Sequence, residues 1–442
     1  MQYDYLTEEE IKKIEKAIKR RRRRSFQYIE WKILGYVVAV VLLFSISYNY
    51  KYELERFLNP IYYTGAEQNQ IIALNESEEP LMKVHYIDVG CADATFVELP
   101  NNKTMLIDCA GDLLETNNSV NALLQYLDVE IYSHRANKVI DYLVITHPDR
   151  DHYAGAKSVL RVYDVVNIIR PTVLTKNEYD FYFNNGTDEI EDLFPVKVDS
   201  EYEEFIYYLQ NELKSNLNSN MIFGRSGLDF SDDNFKLEFI APNRFDYGEE
   251  WNDFSSCIRL EYSNRVFIFT GDASRQIEQE IIENYAYDID YLKADVLKIG
   301  HHGSETSCSN NFLYAVSADY YVVSTRNGVY SSVPSDSVLT NIEAVFPDST
   351  TFRTDKNGNI VFSVSNDGNM GVYTTRGSFD FVSSFVYIKL YYVLIAISIM
   401  LFIFVFLFRA AVRDDILEMR RKKYEKQKKK ELKLIKKRSK GK

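Results

Sequence analysis

The run from Leu390 to Phe408 carries no charged side chain over 19 residues, and it limits the folds open to this chain more than any other stretch. A helix rises about 1.5 Å per residue, so roughly 20 apolar residues cross the hydrocarbon core of a bilayer. The run meets that length, and we place a transmembrane helix over residues 386–408. A second apolar run, residues 33–48, is shorter, with Trp31, Lys32 and Tyr50 placed to anchor its ends at the interfaces. A signal peptide and a buried core helix are the competing readings of this run. No small-residue cleavage pattern follows it, so we read it as an uncleaved anchor.

The flanking charges orient both spans. Residues 1–32 hold 10 basic and 6 acidic side chains, including the unbroken basic stretch Lys19 to Arg24, and residues 409–442 hold 16 and 5. Basic flanks stay on the cytoplasmic side. Both termini are therefore expected in the cytoplasm, with the intervening domain outside the plasma membrane. The basic tail suits an anionic inner leaflet. The whole chain has 52 basic and 64 acidic side chains, which leaves the middle with a net charge near −27. Such a field repels polyanions at long range and excludes nucleic-acid binding by bulk charge; a nucleic-acid substrate would need bound metal or a local basic track.

Residues 49–80 are polar and weakly periodic and read as a stalk. From residue 81 to about 375 short β-rich stretches (MKVHYIDV, ATFVEL, TMLID, VIDYLVIT, FKLEFIA, SCIRLEY, RVFIFT, ADVLKIG, DYYVVS) alternate with helical ones (VNALLQYLDVE, YAGAKSVLRVY, EEFIYYLQNELK, RQIEQEIIENY, SVLTNIEAVF). The pattern predicts a layered α/β domain with mixed sheets. Residues 174–227 are poor in strand signals before their helix and read as an insertion or substrate-facing loop. Cys91, Cys109, Cys257 and Cys308 show no CxxC spacing and are expected to be buried thiols rather than a disulfide framework.

The chemistry concentrates where the strand VIDYLVIT runs into THPDRDHYAG. His147, Asp149, Asp151 and His152 fall within six residues at a strand-to-helix turn. Imidazole nitrogen and carboxylate oxygen at that density suit zinc or manganese. The bland alternative is a solvated turn with incidental charges.

This segment resembles the HxHxDH signature of the metallo-β-lactamase superfamily, with Asp149 where many members place the second His. Its HPDxDH form is similar to that of the C-terminal hydrolase domain of ComEC-type DNA-uptake proteins. HYIDVGCADATFVEL with TMLIDCAG looks like that family's opening hairpins, Cys91 and Ala92 standing for Gln and Gly. NDFSSCIRLEY with VFIFTGDA, then ADVLKIGHHGSETSCS, then VPSDSVLTNIEAVFPDSTTFRTDKNGNIVFSV resemble its later motifs in the same order. The resemblance runs from Met82 to about Tyr373.

It implies an αββα sandwich holding one or two divalent ions, zinc or manganese. His147 and Asp149 would serve one ion. Asp151 and His152, with one of His301 and His302, would serve the other, and Asp272 would bridge. Asp151, His152 and Asp272 are the implied catalytic groups. Side chains alternate in direction along a strand, so only one of His301 and His302 is expected to enter the site. Asp88, Asp93 and Asp108 are candidates to orient ligand histidines. No histidine lies between His152 and His301, so the superfamily's middle His ligand is missing; Asn252, Asp253 and Ser255 stand where it might be replaced. Ser304, Thr306 and Ser307 are expected to cap the following helix or to meet phosphate oxygens. Val333 replaces the family's His before Pro334, so a substrate-contacting or proton-donating group is lost there.

The implied activity is that of a membrane-anchored phosphodiesterase or nuclease acting on DNA or RNA outside the cytoplasm, by attack of metal-activated hydroxide. Alternatives are hydrolysis of a cell-surface phosphodiester, such as a phosphocholine or teichoic-acid headgroup, and a catalytically silent binding domain. With two spans the chain cannot itself conduct DNA, and no protein partner can be named from the sequence.

Overall fold

The computed structural model describes residues 69–72, 81–175, 178, 200–215, 219–245, 247, 248, 250–326 and 333–376, with the isolated positions 16, 20 and 399. The chain divides into two units, Met1–Glu55 with Val386–Lys442, and Arg56–Phe385. Both apolar runs, the basic ends, most of the stalk and residues 179–199 of the expected insertion lie outside the described residues. Among the described residues no helix is long and apolar enough to cross a membrane.

Period-two patterning decides what each strand faces. The described strands are β1 (Asn69–Ile72), β2 (Met82–Tyr86), β3 (Thr95–Glu98), β4 (Thr104–Ile107), β5 (Val139–Val144), β6 (Asp164–Arg170), β7 (Asn220–Phe223), β8 (Phe235–Ala241), β9 (Cys257–Tyr262), β10 (Arg265–Phe269), β11 (Val296–Lys298), β12 (Tyr320–Val323), β13 (Thr350–Arg353), β14 (Ile360–Val364) and β15 (Met370–Thr374). They form two sheets, ordered β1-β15-β14-β2-β3-β4-β5-β6-β7 and β13-β12-β11-β10-β9-β8.

Three apolar layers show how the sheets stack. Alternate residues of facing strands, among them Val84 and Tyr86 of β2, Tyr142 and Val144 of β5, Phe267 and Phe269 of β10, and Phe362 of β14, interdigitate between the sheets. The opposite face of the first sheet, with Leu143 and Ile145, is covered by Leu123 and Tyr126 of helix Thr116–Tyr126, Val159 of Ala156–Val162, and Phe205 and Leu209 of Ser200–Ser215. The outer face of the second sheet, with Ile268 and Leu297, is covered by Ile277 and Ile281 of helix Arg275–Asn284, Phe312 of Asn310–Val316 and Ile342 of Asp336–Val345. The result is helix, sheet, sheet, helix, as the resemblance implies. Truncating a fully buried core ring such as Phe267 to Ala would cost about 3–5 kcal/mol.

Each sheet mixes the two pairing senses. β4 to β7 run parallel, as do β10 to β13. The carboxyl ends of β4 and β5 therefore meet those of β10 and β11 at one edge of the sandwich, where open α/β sheets place their sites. All four cysteines are buried and unpaired, as expected.

Candidate metal centre

Four strand ends deliver the polar groups. Asp108 follows β4, the turn from His147 to His152 follows β5, Asp272 follows β10, and His301 and His302 follow β11; Asp93 arrives from the loop between β2 and β3. His147, His152, Asp93, Asp108, Asp272 and His302 are all buried.

Asp108 sits in the left-handed region at φ 61, and its carboxylate accepts from the Thr146 amide at 2.7 Å and the Thr146 hydroxyl at 2.7 Å. The same carboxylate lies 2.8 Å from His152 Nδ1. It keeps the proton on Nδ1, so the lone pair on His152 Nε2 points the other way. There it meets Asp272 Oδ2 at 3.3 Å. His302 is fixed likewise: Nδ1 donates to the Ser324 carbonyl at 2.8 Å, and Nε2 faces Asp151 Oδ2 at 3.0 Å and Asp272 Oδ2 at 3.9 Å. His147 Nδ1 lies 3.3 Å from the Ser255 hydroxyl oxygen, which also accepts from the Asp272 amide. Its Nε2 is 3.2 Å from Asp149 Oδ2, outside hydrogen-bond angles.

The residues fit a divalent ion. His147 Nε2, His152 Nε2 and Asp272 Oδ1 are buried polar atoms without a hydrogen-bond partner among the described residues, a costly state unless something else satisfies them. Ligands around a tetrahedral ion at 2.0–2.2 Å lie roughly 3.3–3.6 Å apart, close to the separations given above. Asp151, His152 and His302 bring ligand atoms within 4.8 Å of one another, and Asp93, His152 and Asp272 form a second such group. Burial alone would raise the carboxyls of Asp151 and Asp272, but His302 and His152 hold both below their ordinary range. Burial works against a charge on His152, yet Asp272 and Asp108 outweigh it, so the field demands positive charge on or beside that ring.

The structure separates the members of the expected set. Of the adjacent histidines, His302 joins Asp151 and His152. His301 turns to Thr306, Nδ1 to Oγ1 at 2.9 Å, and its ring is 29% exposed to the cleft. Strand alternation is not what divides them: both lie past the end of β11 with left-handed backbone, φ 47 and φ 53. Asp88 does not orient a ligand histidine; Arg376 takes its carboxylate at 2.7 Å, and Asp108 performs that task. Of the three stand-ins for the missing histidine, only Ser255 reaches the centre. Asp253 accepts from Ser274, the cap of helix Arg275–Asn284, and Asn252 donates to Glu250. Ser304, Thr306 and Ser307 do not cap the following helix, because Ser309 does. Instead Thr306 links His301 to Ser304, and the Ser307 hydroxyl donates to the Ala273 carbonyl.

Lys298 belongs to the centre and was not among the expected residues. It is 2% exposed, and its ammonium lies 2.5 Å from Asp93 Oδ2, a charge contact whose angles miss those of a hydrogen bond. Burial opposes its charge, but Asp93 and then Asp272 more than compensate and hold it above its ordinary value. A lone Lys in the apolar stretch ADVLKIG was the available signal. The centre opens into a cleft of about 380 Å³, lined by Cys91, Leu113, Arg150, Asp151, His302 and Val333 among others.

Residues 88–238 match the metallo-β-lactamase superfamily. The layered fold and the ligand cluster agree with that match. Within the superfamily the chain resembles ComEC-type competence proteins. It is 24% identical over 299 residues to ComE operon protein 3 of Bacillus subtilis, covering 66% of this chain and 34% of that one. It is 24% identical over 255 residues to Recombination protein 2 of Haemophilus influenzae, covering 58% and 26%, and 29% identical over 136 residues to competence protein ComA of Neisseria gonorrhoeae, covering 31% and 19%. The chain thus spans about a third or less of the length of these relatives. Among solved structures, the metallo-β-lactamase fold protein YhfI from Bacillus subtilis superposes with a TM-score of 0.38 at 12% identity, covering 64% of this chain and 100% of that one.

Proposed function

We propose that this chain is a membrane-anchored, metal-dependent phosphodiesterase that cleaves DNA or RNA outside the cytoplasm. The observation that carries the reading is the convergence of Asp151, His152, His302 and Asp272 at the floor of an open cleft with Arg150 on its lining. An arginine there is suited to meet a phosphate through two donors. Its present partner, Glu201 at 3.1 Å, is half exposed and cheap to exchange. The similarity to competence proteins supports a nucleic acid as substrate, and the uncharged runs with basic flanks support the anchor and the topology.

Asp151, His152 and His302 would hold the ion, zinc or manganese, with Asp272 beside His152. Such an ion supplies Lewis acidity at a phosphoryl oxygen and lowers the pKa of water. Asp108 and the Ser324 carbonyl keep the ligand tautomers of His152 and His302. His301 is held below its ordinary pKa by burial, against the pull of Asp272. Neutral and facing the cleft, it can accept a proton from an attacking water.

The cleft volume lies near the lower end of the ~300–1,000 Å³ usual for ligand clefts, which also favours a second reading, a small cell-surface phosphodiester headgroup. Purified chain with manganese, offered single-stranded DNA and bis-nitrophenyl phosphate, decides between them. Cleavage of both, lost in Asp151→Ala, is expected; cleavage of the small ester alone would sink the nuclease reading. Protease accessibility of the domain in intact cells tests the topology, and protection would overturn it.

A further inference from the structure

Two positions for a cation can be read from the converging side chains, one at Asp151, His152 and His302, the other at Asp93, His152 and Asp272. His152 belongs to both, and its Nδ1 is committed to Asp108, so once its Nε2 serves one ion a second ion would rest on the carboxylates of Asp93 and Asp272. Lys298 distinguishes the two positions. It shares strand parity with Val296, which lies in the layer between the sheets, so its side chain enters the site from β11. Its ammonium rests on Asp93 Oδ2 at 2.5 Å, with the Ile299 carbonyl at 3.3 Å and the Gly271 carbonyl at 3.4 Å. It is fully enclosed, and a divalent ion a few ångströms away in this low-dielectric interior would be strongly repelled.

We propose that Lys298 is the resident second cation of the centre: its ammonium occupies the Asp93 position, and the chain takes a single divalent ion at Asp151, His152 and His302. Where a two-ion site would balance its buried carboxylates with metal, this chain balances Asp93 with a side chain. The ion is thereby directed towards the cleft that Asp151 and His302 line and away from the interior. His147 and Asp149 belong to neither ligand group; His147 is fully buried, and Asp149 lines the cleft. The inference rests on the metal-binding reading of the site and is independent of the substrate.

The test uses the full chain in detergent, stripped by chelator and reloaded with zinc alone, with bound equivalents counted by elemental analysis and calorimetry. Wild type is expected to bind one equivalent. Lys298→Met, which leaves Asp93 uncompensated, is expected to bind two, and Lys298→Arg one. Should Lys298→Met fail to fold without zinc, the double variant Lys298→Met with Asp93→Asn removes both charges; it is expected to fold and to bind one equivalent. Two equivalents in wild type, one in folded Lys298→Met, or none or two in the double variant would overturn the role of Lys298. No zinc in wild type would instead overturn the metal reading itself.

Discussion

Asp108→Asn tests whether the centre is organised from behind, through the residue that holds its ligand. In the wild type one carboxylate serves three donors: the Thr146 amide, the Thr146 hydroxyl and His152 Nδ1, at 2.7, 2.7 and 2.8 Å. Asparagine has the same shape but a single acceptor oxygen. With that oxygen towards His152, the Thr146 amide faces an NH2 group and loses its partner. With the amide reversed, His152 Nδ1 must become the acceptor, its proton moves to Nε2, and the lone pair that a metal needs is gone. Either arrangement leaves one buried donor unpaired or one ligand in the wrong tautomer, at about 1–3 kcal/mol. At roughly 1.4 kcal/mol per decade this is a 5- to 150-fold loss in metal affinity, in line with the 10–100-fold typical of such orienting partners. The assay is zinc titration of the full chain against a chromophoric chelator. Asp88→Asn is the control, since its partner is the part-exposed Arg376 and its loss should leave the zinc Kd within about twofold. An unchanged Kd in Asp108→Asn, or an equal loss in Asp88→Asn, would refute the reasoning.

Two further outcomes are expected from the same framework. Burial pushes the carboxyl of Glu278 from its ordinary value up to about 7, outweighing the Cys308 and Ser309 amides that donate to it at 2.6 and 2.7 Å. A raised carboxyl binds its proton more tightly in the fold, so its stabilisation is complete below pH about 4.5 and is lost, up to roughly 3 kcal/mol, as pH rises through 7. Thermal melts of wild type should therefore fall relative to Glu278→Gln between pH 5 and pH 8, and parallel curves would contradict this. Gly155→Ala would drive a methyl group into the Cys109 carbonyl, beside Asp108. Backbone must shift to admit it, at about 3 kcal/mol; a melting temperature equal to wild type would show that this close approach is not needed.

Several features could be read from residues in order along the chain, because their causes are local. The alternation in VIDYLVIT sets Leu143 and Ile145 against helices and Tyr142 and Val144 against the second sheet. The HPDRDH turn must follow that strand, so four ligand-type side chains were bound to cluster. The other strand ends were harder to interpret, since each is close to the centre only in space. Asp108 and His152 are 44 residues apart and Asp151 and His302 are 151 apart. Nothing local distinguishes Asp108, which meets a histidine, from Asp88, which meets Arg376.

The sequence by itself thus determined the layered α/β class, the ligand-rich turn and the apolar runs. Tertiary structure alone decided which groups of equal chemistry become ligands, partners or caps. Left-handed backbone at His301 and His302 chose between two adjacent rings, and Ser309 rather than its neighbours became the helix cap. The end of β11 placed an ammonium where a metal ligand would otherwise face an ion. The physical reason is the same throughout. Periodicity specifies the face on which a side chain lies, whereas coordination and charge balance depend on distances of about 3 Å between strand ends that only the packed sheets bring together.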